Sequence, residues 1–251
     1  MATVEAREAA SSERGAAGRS VRHATGAPFL AQVWAIARKD LLLEARSRER
    51  WVSMATFAAL VAVVFSFSID PTAVRARVIA GAMIWVTVLF AGTLGLGRAF
   101  AMERESDALT GVLMAPVDRS ALFLGKWLAN LAIVLAVEAV IFPVYALFFG
   151  LRWEGSLPAL SAVVFLATAG FIALGTLFAA IAAHTRLGET ILPILLLPLL
   201  LPVVIMASTA TQRLLVGRPG AEVVSQLRML GAFALLFVFI GALVFGAVME
   251  E

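Results

Sequence analysis

The densest group of ionisable side chains lies in a polar loop between two long apolar stretches. Four charged residues are followed at helical spacing by apolar ones, and Pro116 ends the pattern. The charged residues are Glu103, Arg104, Glu105 and Asp107, and the apolar ones are Leu109, Val112 and Leu113. The pattern predicts a short helix outside the membrane whose apolar face is covered either by a partner protein or by the membrane surface and the next span.

Glu138 is the one carboxyl group deep inside an apolar stretch. A charge at that depth costs at least a few kcal/mol unless it is paired, neutralised or in contact with water, so the side chain is expected to point into the protein. Its partner could be Tyr145, seven residues further along the same helix, or a group on another span. Glu138 then either lines a cavity or contacts a neighbouring subunit, or is a protonated, hydrogen-bonded packing group.

Three prolines, Pro193, Pro198 and Pro202, fall within one apolar stretch. Each removes a backbone donor and leaves a carbonyl one turn earlier without its helical partner, so this helix is expected to be kinked or locally unwound. Such a helix could act as a gating element, or the kink could be static, because membrane helices tolerate proline.

Several kinds of chemistry are excluded or not expected. The chain has no cysteine and no Gly-x-x-x-x-Gly-Lys-Ser/Thr loop, so it cannot form thiolate sites and carries no recognisable nucleotide-binding motif. The glycines Gly92, Gly95 and Gly97 end an apolar stretch and predict close helix packing rather than phosphate binding. Of the two histidines, His23 lies in the polar tail and His184 in a loop, so axial haem ligation by this chain is not expected. We expect no enzyme activity, no metal site and no nucleic acid partner.

The elements that position these residues are membrane spans. Hydrophobic residues make up 61% of the chain, and the mean hydropathy is +0.95. About 20 apolar residues cross a bilayer, which predicts an all-α integral membrane protein with six transmembrane helices. The predicted spans are Trp51–Ile69, Val78–Leu96, Leu128–Gly150, Ala159–Ala183, Ile191–Ala210 and Leu230–Met249.

Two segments precede the first span. Residues 1–27 are polar and small, which predicts a disordered tail. Apolar residues from Phe29 to Leu41 recur at helical spacing opposite Gln32, Arg38 and Lys39, which predicts an interfacial amphipathic helix or an ordinary juxtamembrane anchor. Arg46, Arg48 and Arg50 follow as a basic cluster that is expected to lie on an anionic membrane surface.

The distribution of basic residues predicts the orientation. Six spans return both termini to one side, and with the N-terminus inside, fourteen of the twenty Lys and Arg residues fall on the inner side. Cytoplasmic loops carry such an excess, so both termini are expected to be cytoplasmic.

Two separated motifs give the chain a family resemblance. The run from Glu103 to Pro116, followed by Leu122-Phe-Leu-Gly-Lys126-Trp, resembles the acidic loop and Lys-bearing helix start of the CcmB family, and the proline-rich stretch from Glu189 is similar to the fifth span of that family. The resemblance covers residues 35–251. It implies that residues 28–251 form an ABC transporter permease domain, in the bacterial inner membrane, of a haem exporter in cytochrome c maturation.

The resemblance also implies partners and roles. The residues from Glu103 to Leu113 would be a cytoplasmic coupling helix docked on a CcmA-type ATPase. CcmC- and CcmD-like subunits and a second copy of the chain would complete the complex, and its ATP-driven step would release the haem-loaded chaperone CcmE. Haem would be transported or held by a partner, with no cofactor bound directly. Two alternatives stay open: a permease of a drug, lipid or polysaccharide ABC exporter, and a membrane assembly factor without transport.

Overall fold

The computed structural model describes residues 27–69, 76–105, 117–151, 155–183 and 188–248, although the side chains of 76–77, 99–105, 183, 188–193 and 247–248 lie outside this description. The described residues form helices, one of them a 3-10 helix, joined by short connections. The α-helices are α1 (Phe29–Ser47), α2 (Glu49–Ser68), α3 (Ala76–Glu105), α4 (Arg119–Phe148), α5 (Leu157–Ala183), α6 (Gly188–Leu215) and α7 (Val224–Val248), and the 3-10 helix is Gly220–Val223.

Helices α2 to α7 are the six described helices that are long and apolar enough to cross a membrane. Each overlaps one of the six spans predicted from the sequence, so the predicted all-helical, multi-pass architecture is confirmed. The tail prediction concerns residues that lie almost wholly outside the described ranges. A helix is present where the amphipathic pattern predicts one, and its position at the membrane surface stays a prediction.

The break between α1 and α2 is a single residue, Arg48. Its φ of 55° lies in the left-handed region, and its N–H donates to the carbonyl of Glu44 at 2.8 Å, which ends α1. A non-glycine residue in this conformation is uncommon and marks a sharp change of chain direction. Helix α1 therefore ends at Arg48, and the chain changes direction there before the first span.

Helix α5 is at the centre of the bundle and packs against α3, α4, α6 and α7. In the most apolar stretch of α5, 72% of the residues are buried. In the corresponding stretch of α2, which lies at the periphery, 17% are buried. Small residues allow this packing: Gly170 lies against Phe233 and Ala234 of α7, and Gly175 against Leu96 of α3. Close approach through small residues is what drives helix association where lipid is as apolar as the side chains.

The three glycines at the end of the second span do not all contact another helix. A Cβ at Gly92 would meet the ring of Phe171, and one at Gly95 would meet the side chain of Met54. At Gly97 a Cβ would have open space. The expected close packing is therefore present at Gly92 and Gly95.

Helix α3 is joined to two neighbouring spans by hydrogen bonds between buried side chains. Trp85 Nε1 of α3 donates to Thr211 Oγ1 of α6 at 2.9 Å. The hydroxyls of Thr87 in α3 and Tyr145 in α4 lie 2.6 Å apart. Within hydrocarbon such groups have no water to bond, so these pairs fix the lateral order of α4, α3 and α6.

We expect Gly92→Val to destabilise the bundle by about 1–3 kcal/mol, because overpacking forces the ring of Phe171 to move. The matched control is Gly97→Val, which adds the same side chain to the same helix in open space. Thermal unfolding of the purified protein in detergent measures the difference. Equal losses of stability in the two variants would contradict the packing role of Gly92.

Candidate functional site

A chain of polar side chains joins α1, α2, α4 and α5 at one end of the bundle. Arg50 Nε donates to Glu44 Oε2 at 2.9 Å, and Arg50 Nη1 donates to Asn130 Oδ1 at 2.9 Å. Asn130 Nδ2 in turn lies 3.4 Å from Thr176 Oγ1. We call these four residues the elbow network, since they surround the change of direction at Arg48.

The position of Arg50 differs from the sequence-based expectation. The sequence groups it with Arg46 and Arg48 at the membrane surface, and those two are exposed, but Arg50 is only 7% exposed. A buried guanidinium is stable only when it is paired and hydrogen-bonded, and Glu44 and Asn130 supply this. Asn130 is a polar residue within an apolar stretch of the sequence, and this could have indicated a buried polar partner.

Helix α1 is held against α4 by more than the elbow network. Lys126 Nζ lies 3.9 Å from Asp40 Oδ2, and the backbone N–H of Asp118 donates to Gln32 Oε1 at 3.0 Å. Gly125 brings α4 close to Ile36. The contact face of α1 is therefore partly polar.

The apolar residues predicted to form one face of α1 divide between two environments. Ala37 is buried, whereas Leu30 and Trp34 are 77% and 61% exposed. Helix α1 therefore rests on the spans along one side and presents apolar side chains on another. This second side has the composition that suits the interfacial region of a bilayer.

The C-terminal part of α3 and the start of α4 lie at the same end of the bundle as α1. An ion pair between Arg98 and Glu49 ties the end of α3 to the start of α2, and Asp118 Oδ1 caps α4 by accepting from Ser120 N at 2.8 Å. Helix α3 continues through Glu105, and the predicted coupling helix from Glu103 to Leu113 stays a prediction because most of it lies outside the described residues.

Only part of the predicted coupling segment can be placed. The backbones of Glu103, Arg104 and Glu105 form the last turn of α3, and their side chains lie outside the description. Asp107, Leu109 and Leu113 fall in residues 106–116, which are also outside it.

Glu138 of α4 is 1% exposed and accepts a hydrogen bond from Thr168 Oγ1 of α5 at 2.7 Å. Its partner is thus a group on another span, and Tyr145 instead bonds Thr87. No group in the described part of the chain lies within hydrogen-bonding distance of the other carboxyl oxygen, Oε2.

Glu138 also lines a cavity of about 440 Å³ between α4 and α5 that is open on one side. The cavity walls are apolar or aromatic apart from Glu138 and Ser161, and include Leu135, Phe142, Pro143, Val164 and Phe165. We call this cavity the α4–α5 groove. An apolar groove with a small number of polar groups is the form of a binding site that orients its occupant.

The three prolines lie within one uninterrupted helix, α6. Pro198 and Pro202 are exposed, while Leu196, Leu200 and Val203 face the core. The local unwinding that the sequence suggested is not seen among the described residues of α6. Each proline removes one bond of the helical ladder, and the bonds of the neighbouring residues maintain the helix. The side chain of Pro193 lies outside the description.

The described residues contain no group of three His, Asp or Glu side chains arranged to hold a metal ion. The candidate site consists of two regions, the elbow network and the α4–α5 groove. Residues of α4 contribute to both. Its components are suited to binding and to transmitting movement between helices.

Comparison with known proteins gives a consistent result. The model of the family described as CcmB protein matches residues 31–251. The chain is 29% identical over 200 residues to "Heme exporter protein B" of Pseudomonas aeruginosa, covering 80% of this chain and 89% of that protein. It is 29% identical over 197 residues to "Heme exporter protein B" of Paracoccus denitrificans, covering 78% and 88%.

A third relative of the same name, from Rhodobacter capsulatus, is 29% identical over 201 residues, covering 78% of this chain and 88% of that protein. Because the family match includes all six spans and most of α1, this chain belongs to the CcmB family.

Proposed function

We propose that this chain is the membrane permease subunit of an ABC-type haem exporter in cytochrome c maturation. The observation that carries the proposal is the match to the CcmB family over residues 31–251, with relatives named "Heme exporter protein B" aligned over most of their length. The chain carries no recognisable nucleotide-binding motif. ATP hydrolysis therefore comes from a partner subunit, and this chain converts it into movement of the spans.

The end of the bundle that carries α1 is the side on which the ATPase docks. The segment from Glu103 to Leu113 continues from α3 and leads to the start of α4, so a force on it acts on both spans. The positive charge bias favours a cytoplasmic position for this end, with both termini in the cytoplasm of a bacterial cell and the spans in its inner membrane. An ATPase of the CcmA type is the partner that fits this arrangement.

Movement of α3 would reach the rest of the bundle through defined contacts. Trp85 links α3 to α6, and Gly92 brings it against Phe171 of α5. Helix α6 lacks the backbone donors of Pro193, Pro198 and Pro202, so it bends at lower cost than an unbroken ladder. Repacking of closely fitted helices between two arrangements is a common form of such transitions.

Other subunits hold the haem in this proposal, because this chain offers no evident axial ligand for haem iron. CcmC- and CcmD-like subunits and a chaperone of the CcmE type are the proposed partners, with a second copy of this chain forming the other half of the permease. The names of the relatives favour this function over export of drugs, lipids or polysaccharides.

Charge reversal at Glu103 and Asp107 tests the coupling segment. We expect Glu103→Lys with Asp107→Lys to reduce both copurification of the partner ATPase and ATP hydrolysis about tenfold, because the two surfaces would repel. The control is Glu222→Lys near the opposite end of the bundle, which should leave both unchanged. If no ATPase copurifies with the parent chain from mild detergent, the assembly-factor alternative replaces the proposal.

The elbow network is expected to be required for stability as well as for coupling. Arg50→Met leaves the partly buried Glu44 without its charged partner and Asn130 without its donor, and should cost about 3 kcal/mol. Arg46→Met, which changes an exposed arginine of the same cluster, should cost less than about 0.5 kcal/mol. Thermal unfolding in detergent compares them, and similar stabilities would show that the buried pair does not hold α1 in place.

The prolines of α6 are expected to matter more for turnover than for stability. Replacing Pro198 and Pro202 by Ala restores two helical bonds, so the unfolding temperature should rise while ATP-driven turnover of the complex falls at least threefold. The control is Leu199→Ala with Leu201→Ala, on exposed positions of the same helix. Unchanged turnover in the proline variant would show that these prolines have no gating role.

A further inference from the structure

A cavity of about 450 Å³ lies at the end of the bundle opposite α1 and is open to the surface. Gly220 of the 3-10 helix lies against Ala159, which places the cavity beside the start of α5. Helix α1 packs instead on the start of α4, which is antiparallel to α5. We call this space the α6-end cavity, and its lining is formed by Thr209, Gln212, Arg213, Val216, Arg218 and Glu222.

The turn that follows α6 brings two arginines to the same cavity. Arg218 N donates to the carbonyl of Arg213 at 3.0 Å, and Gly217 N donates to that of Leu214 at 3.1 Å. With Gly217 at a φ of 79°, these two bonds form the Schellman motif that ends many helices. The chain therefore folds back at Gly217, and the backbone of Arg218 lies beside that of Arg213.

The α6-end cavity carries an excess of positive charge. Arg218 Nη1 lies 3.6 Å from Glu222 Oε1, in a pair whose side chains are 62% and 41% exposed. Arg213 Nη1 donates instead to the backbone carbonyl of Glu222 at 2.9 Å, and no carboxylate among the described residues pairs with it. Two guanidinium groups and one carboxylate leave one net positive charge in the lining. Because a guanidinium has several donors, both arginines keep N–H groups available for an anion.

An apolar stripe leads from the α6-end cavity along the span. Leu201 and Ile205 of α6 are 52% and 60% exposed, and Thr209 and Arg213 follow at intervals of four residues on the same face. The hydroxyl of Thr209 is satisfied within the helix, since it donates to the carbonyl of Ile205 at 2.7 Å. Arg213 lies in the last turn of α6, where a spanning helix reaches the headgroup region. The arginines are thus at headgroup level, and the exposed apolar side chains are at the level of acyl chains.

We propose that the α6-end cavity binds an anionic phospholipid, with its phosphate between Arg213 and Arg218 and an acyl chain along Leu201 and Ile205. Guanidinium groups bind phosphate oxygens through parallel N–H donors, which makes arginine well suited to this ligand. The single net positive charge of the lining matches the single negative charge of a headgroup such as phosphatidylglycerol. A soluble phosphate ester would leave the apolar stripe without an occupant. The site is separate from the ATPase surface and does not depend on the proposed transport function.

Native mass spectrometry of the purified, delipidated full chain tests the proposal. The probes are phosphatidylglycerol, phosphatidylcholine with the same acyl chains, and glycerol 3-phosphate. We expect phosphatidylglycerol to bind about tenfold more tightly than phosphatidylcholine, whose headgroup has no net charge, and glycerol 3-phosphate not to bind at the same concentration. Equal affinities for the two lipids would overturn the proposal, as would binding of glycerol 3-phosphate as tight as that of the lipid.

Variants of the lining locate the bound lipid. Arg213→Gln and Arg218→Gln should each weaken phosphatidylglycerol binding about tenfold, because a charge-assisted contact is lost. The matched control is Arg228→Gln, which removes the same charge from an exposed position near the start of α7, at the same end of the bundle but outside the lining. Glu222→Lys should strengthen binding, because it removes the carboxylate that competes with the phosphate for Arg218.

The comparison of the variants has a clear contrary outcome. If Arg213→Gln and Arg218→Gln bind phosphatidylglycerol as tightly as Arg228→Gln, the lipid is not held in the α6-end cavity and the proposal is overturned. The unfolding temperature of each variant in detergent shows that it is folded, and the comparison of headgroups uses the unaltered chain. Neither measurement involves the ATPase, so a negative result here leaves the proposed function unaffected.

Discussion

The bilayer interior offers no hydrogen-bonding partners, and the rest of this structure depends on that constraint. Backbone groups are satisfied by long helices, and side chains that carry polar atoms must find partners on neighbouring spans. Trp85 with Thr211, Thr87 with Tyr145 and Asn130 with Thr176 each meet this requirement between two helices. These bonds specify which helices are neighbours, whereas the apolar contacts around them are compatible with many arrangements. Polar residues thus define the order of a bundle that is held together mainly by close packing.

Helix α4 connects the elbow network with the α4–α5 groove. At one end it receives α1 through Lys126 and the elbow network, and further along it carries Glu138 in the α4–α5 groove. A rigid helix transmits displacement along its length, so a change at the cytoplasmic end proposed for ATPase docking would also reach the groove.

The sequence predicts the spans well because long apolar stretches of a membrane protein have one stable conformation. It predicts non-local partners poorly. Arg50 is placed at the surface by its local pattern, yet it bonds Asn130, which is 80 residues away, and Glu138 bonds Thr168, 30 residues away. Local periodicity shows which residues are polar but not which of them meet. The prolines of α6 show a related limit: the loss of donors can be read from the sequence, but whether the helix continues depends on its neighbours.

The left-handed turn at Arg48 has a consequence for how the chain is made. Because α1 folds back onto α4, Arg50 meets Asn130 only after 80 further residues have been synthesised. At about 5–20 residues per second this takes on the order of 4–16 s. During that interval the guanidinium has Glu44 nearby but not its amide partner. The polar contacts at the start of the first span are therefore complete only once the third span has been synthesised.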